Sequence, residues 1–276
     1  MLARSPRAFS GGLQLVRWAN ALTAAAGVLV GAWWAGWGDS RAVALAALSA
    51  LGLTAAANAW NDMADVAIDR IAHPDRPLVT RALSMREADR LAMTGAVGAV
   101  LAASAVSVLL GIASVGVLLL MRLYSPWIKR AGFGGNVLVS VLASLPFVYG
   151  SYAAGHWARG IPLVLIAIPL HLARELAKDL DDREADRGAR RTLPLVLGAP
   201  AARGAIIAAL AASAVALAFV LAPLVESPAL LFAALAPAMI ALSLATARAL
   251  RGLPGSPAFF KLAMVCAMAA LLVARA

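Results

Sequence analysis

Cysteine is nearly absent. Cys266 is the only one and lies in an apolar run, so no disulfide within the chain can set the fold. Histidine is almost as scarce. His73, His156 and His171 are scattered, and no His-Glu-x-x-His pair occurs, which argues against a zinc centre. No Walker loop is present, and no Gly-x-Gly-x-x-Gly opens a helix after a strand, so the usual nucleotide cradles are not expected. Charge is the scarcest property. Charged residues make up 14% of the 276 residues, against about a quarter in soluble domains. What fills the chain instead is apolar: 62% hydrophobic, with a mean hydropathy of +0.84. These numbers describe an all-α polytopic membrane protein.

Nine runs suit a membrane span: 13–36, 41–61, 88–109, 112–127, 134–154, 160–178, 201–222, 228–247 and 257–274. The joint between the third and fourth is marked only by Gly111 and Gly116, and Pro146, Pro162 and Pro169 fall inside spans. The run after Arg4 and Arg7 is as long as a span and lacks a clear cleavage site, so it reads as a span rather than a leader. The net charge of +10, taken alone, suggests nucleic acid, but its distribution does not. With nine spans, all but Arg41, Arg159 and Arg275 of the 24 lysines and arginines fall on the side of the N-terminus. That asymmetry predicts a cytoplasmic N-terminus in an inner, cell-type membrane and no nucleic-acid partner. The Trp residues near the span ends suit an aromatic belt, and Gly27-x3-Gly31 suits helix packing.

Two stretches interrupt this apolar background: Asn61-Asp62-Met63-Ala64-Asp65-Val66-Ala67-Ile68-Asp69 and Lys178-Asp179-Leu180-Asp181-Asp182-Arg183-Glu184-Ala185-Asp186. Both contain Asp-x2-Asp-x3-Asp. On a helix those positions share one face. Each begins a long polar loop, about 62–87 and 179–200, on the predicted cytoplasmic side. The two triples are offset by a constant 117 residues (62 to 179, 65 to 182, 69 to 186), which suits a four-span repeat, spans 1–4 and 5–8, with an extra ninth, inside a single domain spanning 1–276.

Aligned carboxylates in so apolar a chain call for a hard divalent cation such as Mg²⁺. Asn61 is placed to share a cation with Asp65, four residues on, and Asn58 adds an amide deeper on the same helix. Arg174 and Lys178 precede the second triple, Tyr124 and Lys129 end span 4, and Arg76 follows the first triple. Each of these could be a topology anchor, and Arg17 a snorkelling one. Together with Mg²⁺ they make a site for a phosphate or diphosphate. A lipid-tailed diphosphate would suit both the polar mouth and the apolar interior, among membrane lipids. Arg17, Asn20 and Asn136 are further candidates to face that cavity.

At these residues the chain resembles the UbiA superfamily of intramembrane prenyltransferases, and within it the ether-lipid branch, the digeranylgeranylglyceryl phosphate synthases. Asn61, Asp62, Asp65 and Asp69 match the superfamily's first motif, and Asp179, Asp182 and Asp186 its second. The branch likeness rests on Asp69-x4-Pro74-Asp75-Arg76-Pro77, on Tyr124-x4-Lys129 with Gly135-Asn136, and on Arg174-Glu175-x2-Lys178 running through Asp186 to Thr192-Leu193-Pro194. His73, Ala185 and Leu78-Val79-Thr80-Arg81 depart from its common pattern. The resemblance implies nine helices around an apolar cavity with cytoplasmic cap loops. It implies two Mg²⁺ ions held by both motifs and a prenyl diphosphate donor. Asp65, Asp69, Asp182 and Asp186 would carry catalysis, and Arg76, Tyr124, Lys129, Arg174 and Lys178 would hold the diphosphate. The expected reaction moves a prenyl group to a lipidic acceptor, geranylgeranylglyceryl phosphate. Prenylation of an aromatic acceptor such as 4-hydroxybenzoate stays open, as does a cation-coupled transporter.

Overall fold

The computed structural model describes residues 6–124, 132–188 and 190–274. Thirteen α-helices carry them, with no strand among the described residues: α1 (Pro6–Leu15), α2 (Trp18–Trp34), α3 (Ser40–Ala72), α4 (Met85–Val106), α5 (Val108–Tyr124), α6 (Phe133–Ala153), α7 (Ile161–Asp181), α8 (Arg183–Asp186), α9 (Leu193–Val196), α10 (Gly198–Ala216), α11 (Pro228–Ala234), α12 (Ala236–Arg251) and α13 (Ser256–Val273). The chain divides into two compact units, 1–25 with 44–129 and 26–43 with 130–276, so two of the three boundaries fall inside α2 and α3.

In the first unit, small residues set the distance between helices. α4 buries Ala88, Ala92, Ala96, Ala99 and Ala103, spaced three or four apart and so on one face. That stripe meets the α3 face of Gly52, Ala56 and Ala59. A Cβ on Gly52 would lie 2.7 Å from the Gly95 carbonyl oxygen, so the two backbones approach as closely as glycine allows. Leu15, Trp60, Leu78 and Leu83 complete this core. α4 starts at a capping box. Ser84 accepts from the Glu87 N–H, and the Glu87 carboxylate accepts from the Ser84 N–H at 2.9 Å. It ends at Ser107, whose extended backbone (φ −161°, ψ 153°) separates α4 from α5. The break thus falls earlier than the Gly111 and Gly116 punctuation suggests. Gly111 instead lets α5 close onto α4, where a Cβ would meet Ser104 Oγ at 2.3 Å.

In the second unit, the end of α2 lies against α6 in the same manner. A Cβ on Gly31 would stand 2.1 Å from the Phe147 carbonyl oxygen, and one on Gly150 only 1.9 Å from that of Val28. Ser151 Oγ donates to the Gly31 carbonyl at 2.9 Å across this contact. α7 packs on α6 and α10, and α12 on α13. One apolar core gathers Trp34, Leu163, Leu221 and Leu231; another gathers Leu176, Ile206, Ala245 and Phe260. Pro162 sits in the first turn of α7, where its missing N–H costs nothing, while Pro146 and Pro169 are interior. The run expected as one span over 228–247 is two helices, α11 and α12, bent by 51°. Pro237 lies in the first turn of α12, and a proline cannot continue the preceding ladder.

Six helical segments are long and apolar enough to cross a membrane: Ser40–Ile71, Met85–Val106, Phe133–Ala153, Trp157–Asp181, Gly198–Leu224 and Ser256–Val273, with the bent α11–α12 pair as a seventh. α5, at 17 residues, is shorter. Leu101 and Phe219 on these segments are 66% and 77% exposed. Large apolar side chains turned outward on helix after helix suit a hydrocarbon surrounding, where they cost nothing.

Candidate active site

The first acidic motif lies within α3. The sequence pattern ends that span at 61 and begins a loop at 62, but the helix continues to Ala72. Polar residues normally end an apolar helix because water claims them. Here Asp62, Asp65 and Asp69 are buried at 3%, 7% and 4% exposure, on the single face that their spacing dictates. Burying carboxylates is costly unless they are paired, and two arginines supply the pairing. Arg17 Nη2 donates to Asp62 Oδ1 at 2.6 Å. Arg76 Nη1 donates to the same Oδ1 at 3.2 Å and also to Asp69 Oδ2.

Each arginine is held by local structure. Arg17 occupies the joint between α1 and α2 in a left-handed conformation, φ 48°. Asn58 fixes that joint: its Nδ2 donates to the Val16 carbonyl at 2.9 Å. The Asn58 Nδ2 group is therefore committed to the backbone. Arg76 lies in the turn after α3, where the Val79 and Thr80 N–H groups close onto its carbonyl at 3.0 and 2.9 Å. Leu78 and Leu83 from the same turn are buried in the core. Asn61 and Asn20 are half-buried in this unit.

The second motif belongs to the other unit and is not one continuous helix. α7 ends at Asp181, Asp182 caps it, and Asp186 closes the short α8. The Asp186 N–H still bonds to the Asp182 carbonyl at 2.9 Å, which continues the helical path after the break. Asp179 and Asp186 are buried, and Asp182 is half-buried. Asn136 Nδ2, from α6, donates to Asp179 Oδ2 at 2.7 Å. Arg190 Nη1 stands 3.1 Å from Asp186 Oδ1. Lys178 Nζ lies 3.9 Å from Asp182, one turn on, and Arg174 pairs with Glu175. Asp181, outside the triple, accepts the Gly255 N–H at 2.8 Å and so ties the α12–α13 turn to the end of α7. Sequence reasoning did not single out Arg190, although its spacing of four from Asp186 was the available signal. Tyr124 ends α5, and Lys129 lies outside the described residues.

Asn136→Leu should remove the donor from the buried Asp179 carboxylate. The expected cost is about 1–3 kcal/mol, read as a lower thermal midpoint in detergent; an unchanged midpoint would show that the bond is not needed.

Among the described residues no three His, Cys, Asp or Glu side chains already converge as a ligand cage. The donor chemistry nevertheless fits Mg²⁺. Every candidate ligand is a hard oxygen, and Asp62, Asp65 and Asp69 are buried side by side on one helix face. Such a set can bind a divalent cation, and the neighbouring guanidinium and ammonium groups can bind phosphate oxygens.

Acidic faces paired with arginines on an α-helical membrane fold suit a ligand that carries phosphate groups. The chain belongs to the UbiA prenyltransferase family, whose model matches residues 21–271, and it is an integral membrane prenyltransferase. It is similar to the digeranylgeranylglyceryl phosphate synthase of Ignicoccus hospitalis, 36% identical over 222 residues that cover 78% of this chain and 73% of that one. Its fold is that of a UbiA homolog from Aeropyrum pernix K1, with a TM-score of 0.80 and 23% identity over 93% of this chain and 98% of that one. A UbiA homolog from Archaeoglobus fulgidus bound to DMAPP and Mg²⁺ superposes with a TM-score of 0.71 and 21% identity, over 95% of this chain and 98% of that one.

Proposed function

We infer that the chain transfers a geranylgeranyl group from its diphosphate to the free hydroxyl of geranylgeranylglyceryl phosphate, forming an ether lipid. The observation that carries this is the similarity to a digeranylgeranylglyceryl phosphate synthase over most of both chains. The buried acidic face of α3 supports the donor half of the reading. Nine membrane-crossing helices, with the N-terminus and the polar mouth of the cavity in the cytoplasm, belong to the same reading and rest on the distribution of basic residues.

Asp62, Asp65 and Asp69 of the first motif, with Asn61, would hold one Mg²⁺; Asp179, Asp182 and Asp186 would hold a second. Bound there, Mg²⁺ supplies Lewis-acid neutralisation of the diphosphate oxygens. Arg76, Arg174 and Lys178, with Tyr124 and Lys129, hold the diphosphate by hydrogen bonds that strengthen as negative charge builds on it. The allylic C–O bond breaks and the diphosphate leaves. An apolar surrounding keeps water from the prenyl cation, so the acceptor hydroxyl attacks C1 and forms the C–O–C bond. A carboxylate of the motifs takes the hydroxyl proton.

The test is diphosphate release from geranylgeranyl diphosphate with Mg²⁺, run with geranylgeranylglyceryl phosphate, with 4-hydroxybenzoate and with no acceptor. Release that depends on the glycerol lipid supports the reading. Dependence on the aromatic keeps the donor half and changes the acceptor. No release under any condition would reopen a transport role.

A further inference from the structure

We propose that Arg76 is the resident counter-ion of the first acidic motif, which Mg²⁺ must displace, so that metal and diphosphate enter as one unit. This rests on the reading of that motif as the Mg²⁺ site and adds an order of binding to it.

The geometry sets two cations in competition for the same carboxylates. Asp62 Oδ1 already accepts from Arg17 at 2.6 Å and from Arg76 at 3.2 Å. Asp69 Oδ2 accepts from the same Arg76 nitrogen. One guanidinium thus spans the first and last carboxylates of the triple, with Asp65 between them on the same helix face. Mg²⁺ binds carboxylate oxygens at about 2.0–2.1 Å, and at that range its charge repels a guanidinium held on the same two carboxylates. The carboxylate side chains are 4% and 5% exposed, so water screens little of the repulsion that would follow.

Departure of Arg76 does not require the chain to unfold. Its backbone is fixed by the turn over 76–80 and by Leu78 and Leu83 in the core. The Arg76 side chain is 19% exposed, so the guanidinium can leave by rotation of that side chain. Once released, it is a phosphate-binding group with no carboxylate to satisfy. A free metal ion therefore competes with Arg76, whereas a metal–diphosphate complex brings the arginine a new partner. Free Mg²⁺ binds weakly, and diphosphate and metal each tighten the other by the same factor.

The experiment measures Mn²⁺ binding by electron paramagnetic resonance on purified, detergent-solubilised protein, with and without inorganic diphosphate. In Arg76→Gln without diphosphate, Mn²⁺ should bind about tenfold more tightly than in the wild type, equivalent to about 1.4 kcal/mol. Adding diphosphate should tighten Mn²⁺ in the wild type far more than in the variant. Arg76→Met, which keeps the stem and removes the charge, should change in the same direction and serves where Arg76→Gln does not fold. Unchanged or weaker Mn²⁺ binding in the folded variant would overturn the counter-ion role and leave the metal site intact. Wild-type protein that binds no Mn²⁺ even with diphosphate would overturn the metal site and this inference with it.

Discussion

Purified Asp65→Asn and Asp182→Asn proteins are expected to insert and elute like the wild type, yet to lose prenyl transfer by about a hundredfold or more. The exchange keeps volume and shape while removing the anionic oxygen that a hard cation requires. Losing one group that stabilises charge in the transition state commonly costs about 10²–10³-fold in rate. Asp65 is the middle carboxylate of the buried face on α3, and Asp182 caps α7 between two buried aspartates. The two substitutions thus probe each motif at its centre. The measurement is geranylgeranyl transfer to the glycerol acceptor at saturating Mg²⁺. Full activity in both variants would remove the metal assignment from these motifs.

The second large effect is structural. Gly150→Ala and Gly31→Ala should each prevent a stable fold, because a single Cβ would stand 1.9 Å from the Val28 carbonyl oxygen or 2.1 Å from that of Phe147. Both obstacles are backbone atoms of a packed helix pair and cannot rotate aside. Overpacking a core costs about 1–3 kcal/mol where side chains can adjust, and more where they cannot. Gly116→Ala and Gly134→Ala, with nothing within 4 Å of the added carbon, are the matched controls and should be tolerated. Size-exclusion profiles and thermal midpoints of the four proteins decide between these outcomes. A monodisperse Gly150→Ala protein as stable as the controls would contradict the close helix contact.

The acidic spacing was legible because Asp-x2-Asp-x3-Asp has meaning only on a helix, and on α3 it does form one buried face. The length of that helix was not legible. Composition past Asn61 looks like a loop, and Arg17, distant in sequence, and Arg76 make the burial of Asp62 and Asp69 tolerable. Their pairing with Asp62 is a long-range fact, invisible to local periodicity. The second triple shows the converse. Its spacing repeats the first, yet α7 ends inside it, since Asp182 takes a cap conformation that the pattern does not encode. The α11–α12 bend had a visible cause in Pro237, but a hydropathy window averages across it. At the α4–α5 joint the glycines draw the eye, yet a serine makes the break, because an extended Ser107 looks ordinary in an apolar run.

Residue 17 carries a last implication, for redesign. A backbone at φ 48° favours glycine, and an arginine there costs about 1–2 kcal/mol. A procedure that optimised this chain for stability would therefore write glycine at the α1–α2 joint. It would gain a relaxed turn and erase one of the two guanidiniums on Asp62. The chain keeps the less comfortable residue, which marks position 17 as one where fold stability has been traded for charge.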